Sequence, residues 1–345
     1  MISITLAMPN FNHSAFLNRS ISGLLNQERP ADEVLILDDA STDNSVEVMR
    51  EITGDAENVR LICLGQNEGV VSGMNTLLKE SSSDWIAYAA ADDFLYPSHL
   101  KTLEALALSA PDVAFVSACV DLVDENDNKL GDRPVFYPSV TPRVFRPNKV
   151  RRLFRKNDNQ LQSQVCLFRR ETLVAMGGFD EAMGSASDGV LMRELALTHG
   201  FGFIPQSLGV WRLHGGNFSL SSAFEVANFK SLIVRAKSYI AKCPNGLFPE
   251  NYGSLLSRRM QFGVARLIIF GSFSSEQRAE KIIELVDAAP LERRIINHLA
   301  SDGRGFKLAL QMWIYLRLWP YSPFQLAIQP ARKRIAQFFV ALRKQ

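Results

Sequence analysis

Two adjacent carboxylates, Asp92 and Asp93, close the short apolar run at 85–91. Like charges this close repel one another unless a cation or ligand separates them. Hard divalent cations such as Mg²⁺ take oxygen ligands of this kind. The competing use is structural, with Asp93 capping a helix that opens near Pro97. Asp188 is a second candidate, because it precedes the helical period at 189–199. There its plain structural use is as an N-cap. His214 is a third: its imidazole suits Mn²⁺ better than Mg²⁺, and a lone histidine can equally be structural. Three polar loops precede Asp92: Pro9-Asn10-Phe11-Asn12-His13, Asp38–Ser45, and Gly65-Gln66-Asn67-Glu68-Gly69. Each is rich in turn formers, so each taken alone could be a turn and nothing more.

The elements between these loops give them a common address. Apolar runs at 2–8, 33–38, 59–64, 84–91 and 112–118 read as strands. Helical spacing at 14–27, 43–53, 70–80 and 98–109 falls between them. Strict strand–helix alternation predicts βαβ units and a mostly parallel α/β sheet. In such sheets ligands bind beyond the carboxyl ends of the strands, where the four loops then gather. Neither GxGxxG nor GxxxxGK[ST] occurs, so the usual dinucleotide and P-loop readings lose their main support.

Composition excludes other classes. Of 345 residues 47% are apolar and 21% charged, which is ordinary for a chain with a sizeable core. A net charge of +2 gives no electrostatic footprint for nucleic acid. Cys63, Cys119, Cys166 and Cys243 form no CxxC pair, so neither a zinc site nor a disulfide framework is expected, and a reducing compartment fits. The chain opens directly into a strand without a basic n-region, so no secretory signal is expected, and no uncharged run has the length of a membrane span.

Pro9-Asn10-Phe11-Asn12, Asp38-Asp39-Ala40-Ser41-Thr42-Asp43, Asn67-Glu68-Gly69 with Asn75, and Asp92-Asp93-Phe94-Leu95-Tyr96-Pro97 resemble, in order and spacing, the signature of family 2 glycosyltransferases. The resemblance runs to about residue 220. It implies a GT-A fold and inverting, non-processive transfer from a nucleotide-sugar donor, with a UDP-sugar favoured. It places the nucleoside at Pro9, Asn10, Phe11, Asn12 and Asp39. Asn67, Gly69 and Asn75 would border the nucleotide. Asp92 and Asp93, with His214, would hold Mg²⁺ or Mn²⁺ and the diphosphate, and Asp188 would be the base. The acceptor would be a saccharide or a lipid-linked precursor of a surface polysaccharide.

Two positions depart from the family pattern: Ala90 stands where an acid is usual, and Met74 where an arginine is usual. Both motivate an alternative in which the fold binds sugar nucleotides without turnover. A nucleotidyltransferase would need a glycine-rich basic loop after the first strand, which is absent. Asp124, Asn126 and Asn128 give only a weak calcium-loop pattern. From 221 onward the period is helical, and we read 1–220 as the catalytic domain and 221–345 as an extension. Its last helix carries Ile335, Phe338, Phe339 and Leu342 on one face with Arg332, Lys333, Arg334, Arg343 and Lys344 beside it, and no acid at 331–345. That suits peripheral contact of a cytoplasmic protein with the inner face of an anionic membrane, and equally a helix docked on the domain or an oligomer contact.

Overall fold

The computed structural model describes residues 2–158, 161–217, 224–244 and 246–342. The chain forms two compact units, residues 1–214 together with 327–345, and residues 215–326.

The first unit begins as its apolar runs dictate. Strands β1 (Ile4–Asn10), β2 (Glu33–Asp38), β3 (Val59–Cys63) and β4 (Trp85–Tyr88) alternate with helices α1 (Ser14–Leu25), α2 (Ser45–Thr53) and α3 (Val70–Glu80). β1 pairs in parallel with β2 and β4, and β2 with β3. Ile4, Leu6, Met8, Val34 and Ile36 are fully or almost fully buried and pack with Leu17, Ile21 and Leu24 of α1. Each such side chain contributes about 1.5–3 kcal/mol over leaving it in water.

The second half of the sheet is mixed. It holds β5 (Phe94–Leu95), β6 (Phe115–Val123), β7 (Lys129–Arg133), β8 (Arg143–Phe145), β9 (Cys166–Arg169) and β10 (Phe201–Arg212). The order is β3-β2-β1-β4-β9-β6-β10-β5, with β7 beside β6 and β8 beside β10. β9 enters antiparallel between β4 and β6, while β6 and β10 pair in parallel again, so the sheet beyond β4 is mixed. Helices α4 (His99–Ser109), α5 (Pro147–Lys156), α6 (Arg170–Ala175) and α7 (Ser187–His199) complete this half. The strand expected at 84–91 ends at Tyr88; beyond it Ala89 still donates to the Ala7 carbonyl at 2.9 Å, and Asp93 N–H closes a turn on Ala90 O at 3.2 Å. β10 is one long strand, irregular between Ile204 and Ser207 and again between Ser207 and Val210. The calcium pattern is a hairpin turn: Asp124 accepts Asn126 N–H and Asn128 N–H, each at 2.9 Å, and so spends its carboxylate on its own loop.

The second unit packs α8 (Val226–Lys242), α9 (Tyr252–Phe270), α10 (Ser275–Leu285), α11 (Pro290–Leu299) and α12 (Arg304–Leu318) around Ala265, Ile268, Ile282, Leu285, Ile296, Leu310 and Ile314. The buried Arg278 guanidinium serves its loop ends, donating to Phe273 O at 2.7 Å and Ala300 O at 2.5 Å.

The last helix, α13 (Pro323–Leu342), falls within the extension expected at 221–345, but from Ala327 it belongs to the first unit. Gln329 accepts Tyr137 N–H at 2.9 Å, Arg332 donates to Tyr137 O and Pro138 O, and Lys333 pairs with Asp132. Two of the cations that flank the apolar face, Arg332 and Lys333, therefore anchor the helix. Ile335, Phe338, Phe339 and Leu342 are exposed, and Arg343 and Lys344 lie outside the described residues. No helix among the described residues is long and apolar enough to cross a membrane.

Gly200 turns α7 into β10 at φ +84°, and a Cβ there would lie 2.4 Å from the Phe145 carbonyl oxygen. Gly54 has φ +49° but open space around it. Both alanine variants carry left-handed strain of about 1–3 kcal/mol, and only Gly200→Ala adds a backbone clash. Gly200→Ala is therefore expected to lower the thermal midpoint more than Gly54→Ala, and equal shifts would contradict this packing.

Candidate active site

The loops after β1, β2 and β3 are laced together by their own side chains. Asp38 accepts Asn10 Nδ2 at 2.9 Å, Ser41 N–H at 2.9 Å and Ser41 Oγ at 2.6 Å. Asn12 holds a left-handed backbone at φ +56°, and its Oδ1 accepts Thr42 N–H at 2.8 Å. Asp39 is buried, and its two oxygens accept Glu68 N–H at 2.7 Å and Gly69 N–H at 2.8 Å. It therefore occupies the amides that lead into α3. Phe11 stays exposed, as does Asn67, and Pro9 packs under α3 near Gly73. The structure brings Asn10, Asn12, Asp39 and Gly69 into one hydrogen-bonded shelf.

Asp92 and Asp93 have separate surroundings. Asp93 is 5% exposed, and its Oδ1 accepts the Arg212 N–H at 2.8 Å. Burial pushes this carboxyl well above the usual carboxylate range and the Asp92 charge adds to the push, while Arg212 pulls the other way. The Arg212 guanidinium, itself buried, donates to Asp92 O at 3.0 Å and to Asp127 Oδ1 at 2.6 Å. Asp92 Oδ2 instead lies 2.9 Å from His214 Nε2. The antiparallel pairing of β5 with β10 brings these two residues together from 122 positions apart.

His13 joins them. His13, Asp92 and His214 each offer one ligand atom, and these atoms lie within 4.8 Å of one another. Burial lowers the His13 pKa, with Asp92 opposing and His214 assisting, which favours the neutral imidazole that metals bind. Its Nδ1 is buried without a hydrogen-bond partner. One carboxylate and two imidazoles, one nitrogen unsatisfied, form a donor set that fits a divalent transition ion. Asp93, expected among the metal ligands, is not in this group, because its carboxylate is turned onto the Arg212 backbone.

Asp188 lies in the first turn of α7, where the N-cap is Ala186. One of its oxygens accepts Gly189 N–H at 2.6 Å, and the other accepts the Ser163 hydroxyl. β9 runs antiparallel to β4 with Leu167 opposite Ala87, so the chain just before it flanks the residues that follow β4. Val165 shares a core cluster with Ala89 and Ala91. Ser163 thus tethers Asp188 at the edge where Asp92 emerges. Asn75 is committed elsewhere: its amide brackets Phe179, donating to the carbonyl at 2.9 Å and accepting the N–H at 2.8 Å. Gly178 permits this contact, since a Cβ there would sit 2.5 Å from Asn75 Oδ1.

The glycosyl transferase family 2 model matches residues 5–175. This is a family 2 glycosyltransferase domain. An uncharacterized glycosyltransferase of Haemophilus influenzae is 33% identical over 92 residues, which span 27% of this chain and 37% of that protein. The GT-A fold is shared with Staphylococcus aureus TarS 1–349, solved in complex with UDP-GlcNAc, at TM-score 0.61 and 15% identity over 92% of this chain and 90% of that one. It is shared also with the mannosyltransferase PcManGT of Pyrobaculum calidifontis, solved with GDP-Man and Mn²⁺, at TM-score 0.54 and 16% identity over 100% and 88%.

Within this transferase domain, reasoning on the sequence gave no role to His13, Arg212 or Ser163. His13 was visible as the last residue of the first polar loop, but a lone histidine carries no spacing signal. Arg212 stood two residues before His214, and only the pairing of β10 with β5 reveals its reach.

If Asp93 is a structural acceptor, Asp93→Ala orphans the buried Arg212 N–H and is expected to cost about 1–3 kcal/mol in denaturant unfolding. Asp93→Asn keeps a carbonyl acceptor and is expected to retain most of that stability. Equal losses in the two variants would remove this role.

Proposed function

We propose that the chain transfers one sugar, with inversion, from a UDP-sugar to a hydroxyl of a saccharide or lipid-linked acceptor. The observation that carries this reading is the Asp92–His214 contact at the carboxyl end of β4, with His13 within reach and the laced shelf of Asn10, Asn12 and Asp39 on the adjoining strands. TarS with UDP-GlcNAc and PcManGT with GDP-Man and Mn²⁺ support a nucleotide-sugar donor and a metal at such a site.

On this reading Asp92, His214 and His13 hold a divalent cation, Mg²⁺ or Mn²⁺, which when bound supplies positive charge to the leaving diphosphate. The laced shelf, with Pro9 and Phe11, borders the nucleoside, and Asp39 holds the Asn67–Gly69 loop in place beside it. Asp188 takes the proton of the acceptor hydroxyl as its oxygen forms the new bond to the anomeric carbon. The bond from that carbon to the diphosphate oxygen breaks on the opposite side, and the nucleoside diphosphate leaves with the bonding pair. Ser163 orients the Asp188 carboxylate for this step.

Peripheral attachment belongs to the same reading. The exposed face of α13 holds Ile335, Phe338 and Leu342 beside the exposed Arg334, and residues 303–345 contain no acid. This composition suits an anionic lipid surface. Phe338→Asp with Leu342→Asp is expected to abolish co-sedimentation with anionic vesicles while leaving the unfolding midpoint within a few degrees. Unchanged sedimentation would remove the membrane part.

The test of transfer is nucleoside diphosphate release from a panel of nucleotide sugars and acceptors. The Asp188→Asn variant is expected to lose about 10²-fold or more in kcat while binding donor as the wild type does. An Asp188→Asn variant as active as wild type would contradict the assignment of the base. A wild type that binds donor and turns none over would favour the binding-protein alternative.

A further inference from the structure

We propose that His13 is a third protein ligand beside Asp92 and His214, and that this two-imidazole, one-carboxylate set makes the site select Mn²⁺ over Mg²⁺. The inference deepens the transferase reading of the same site and rests on it.

Three observations carry the ligand assignment. A ligand atom of His13 lies within 4.8 Å of those of Asp92 and His214. His13 Nδ1 is buried with no hydrogen-bond partner, and an unsatisfied buried nitrogen needs an explanation. The ring is also held in place. His13 sits at the N-cap of α1, where its carbonyl accepts Phe16 N–H at 2.8 Å. The Phe16 ring lies 6.2 Å from that of His13 and 5.0 Å from that of His214, so one aromatic side chain backs both imidazoles.

The choice of metal follows from the donors. Mg²⁺ demands oxygen and gives up its water reluctantly, whereas imidazole is a good ligand for the first-row transition ions. Ala90 leaves the strand end with one carboxylate fewer than the family pattern, and Asp93 is turned onto Arg212. Among the described residues the cluster therefore offers one carboxylate and two imidazole nitrogens, a set weighted toward the ligand that Mg²⁺ takes poorly. His13 comes from the loop after β1, so the compensation arises on a different strand from the loss.

The test uses the full chain, stripped of metal by a chelator, with Mn²⁺ as the probe and no nucleotide present. Free Mn²⁺ is counted by electron paramagnetic resonance, and pulsed measurements read ¹⁴N couplings from the bound ion. Wild type is expected to bind one Mn²⁺ with couplings from two imidazoles, and Mg²⁺ in about 100-fold excess should fail to displace it. His13→Ala and His13→Asn are each expected to lose one coupling and at least about tenfold in affinity, with unfolding midpoints near wild type in the absence of metal. Retention of both couplings and of full affinity in the variants would overturn the assignment, as would free displacement by Mg²⁺. Should the variants unfold, the wild-type count decides alone: two nitrogens support the proposal and one overturns it. Mn²⁺ binding that depends on His13 without any sugar transfer would leave the ligand assignment standing and defeat only the transferase reading.

Discussion

The site depends on one buried hydrogen bond, from the backbone N–H of Arg212 to Asp93 Oδ1 at 2.8 Å. It ties the turn after β4 to the end of β10, and two residues beyond Arg212 stands His214, beside Asp92. The Arg212 side chain reinforces the tie through Asp92 O and Asp127. Its guanidinium also lies 5.3 Å from the centre of the Phe16 ring, the ring that backs His13 and His214. Burying a carboxylate is costly, and the raised pKa of Asp93 records that cost. The return is position: Asp92 is left only partly buried, with its carboxylate against the His214 imidazole.

The same division of labour runs along the whole strand edge. Asp38, Asp39 and Asp124 also look like site residues in the sequence, and in the fold each accepts hydrogen bonds that shape a loop. Asp39 holds the entry to α3, and Asp38 holds the loops after β1 and β2 together. Such side chains are functional in an indirect sense, because they keep three loops in register so that a ligand meets a rigid surface. Asp188 sits between the two roles, tethered to Ser163 and Gly189 at the margin of the edge.

Much of this was legible in the sequence. Parallel strands covered on both faces are uniformly apolar, so β1 to β4 could be read from residues such as Ile4–Met8 and Val34–Leu37, and the loops between them followed. What was hidden depends on long-range pairing. Nothing local in Cys166–Arg169 says that it inserts antiparallel between β4 and β6. No spacing rule distinguishes Asp92 from Asp93, since their difference is set by β10, more than a hundred residues later. Asn75 illustrates the same point: its family-like position is spent on Phe179, which Gly178 allows to approach. In the terminal helix, which cations face inward is decided by Tyr137, Pro138 and Asp132, about two hundred positions away.

The central claim is that adjacent carboxylates do different work, Asp93 holding the fold and Asp92 facing the ligand. Crystals grown with MnCl₂ and a nucleoside diphosphate, with an anomalous difference map at the manganese edge, test it most directly. The account predicts a single strong peak in contact with Asp92, His214 and His13, with Asp93 still accepting the Arg212 N–H. A peak coordinated by the Asp93 carboxylate, with that hydrogen bond broken, would contradict it.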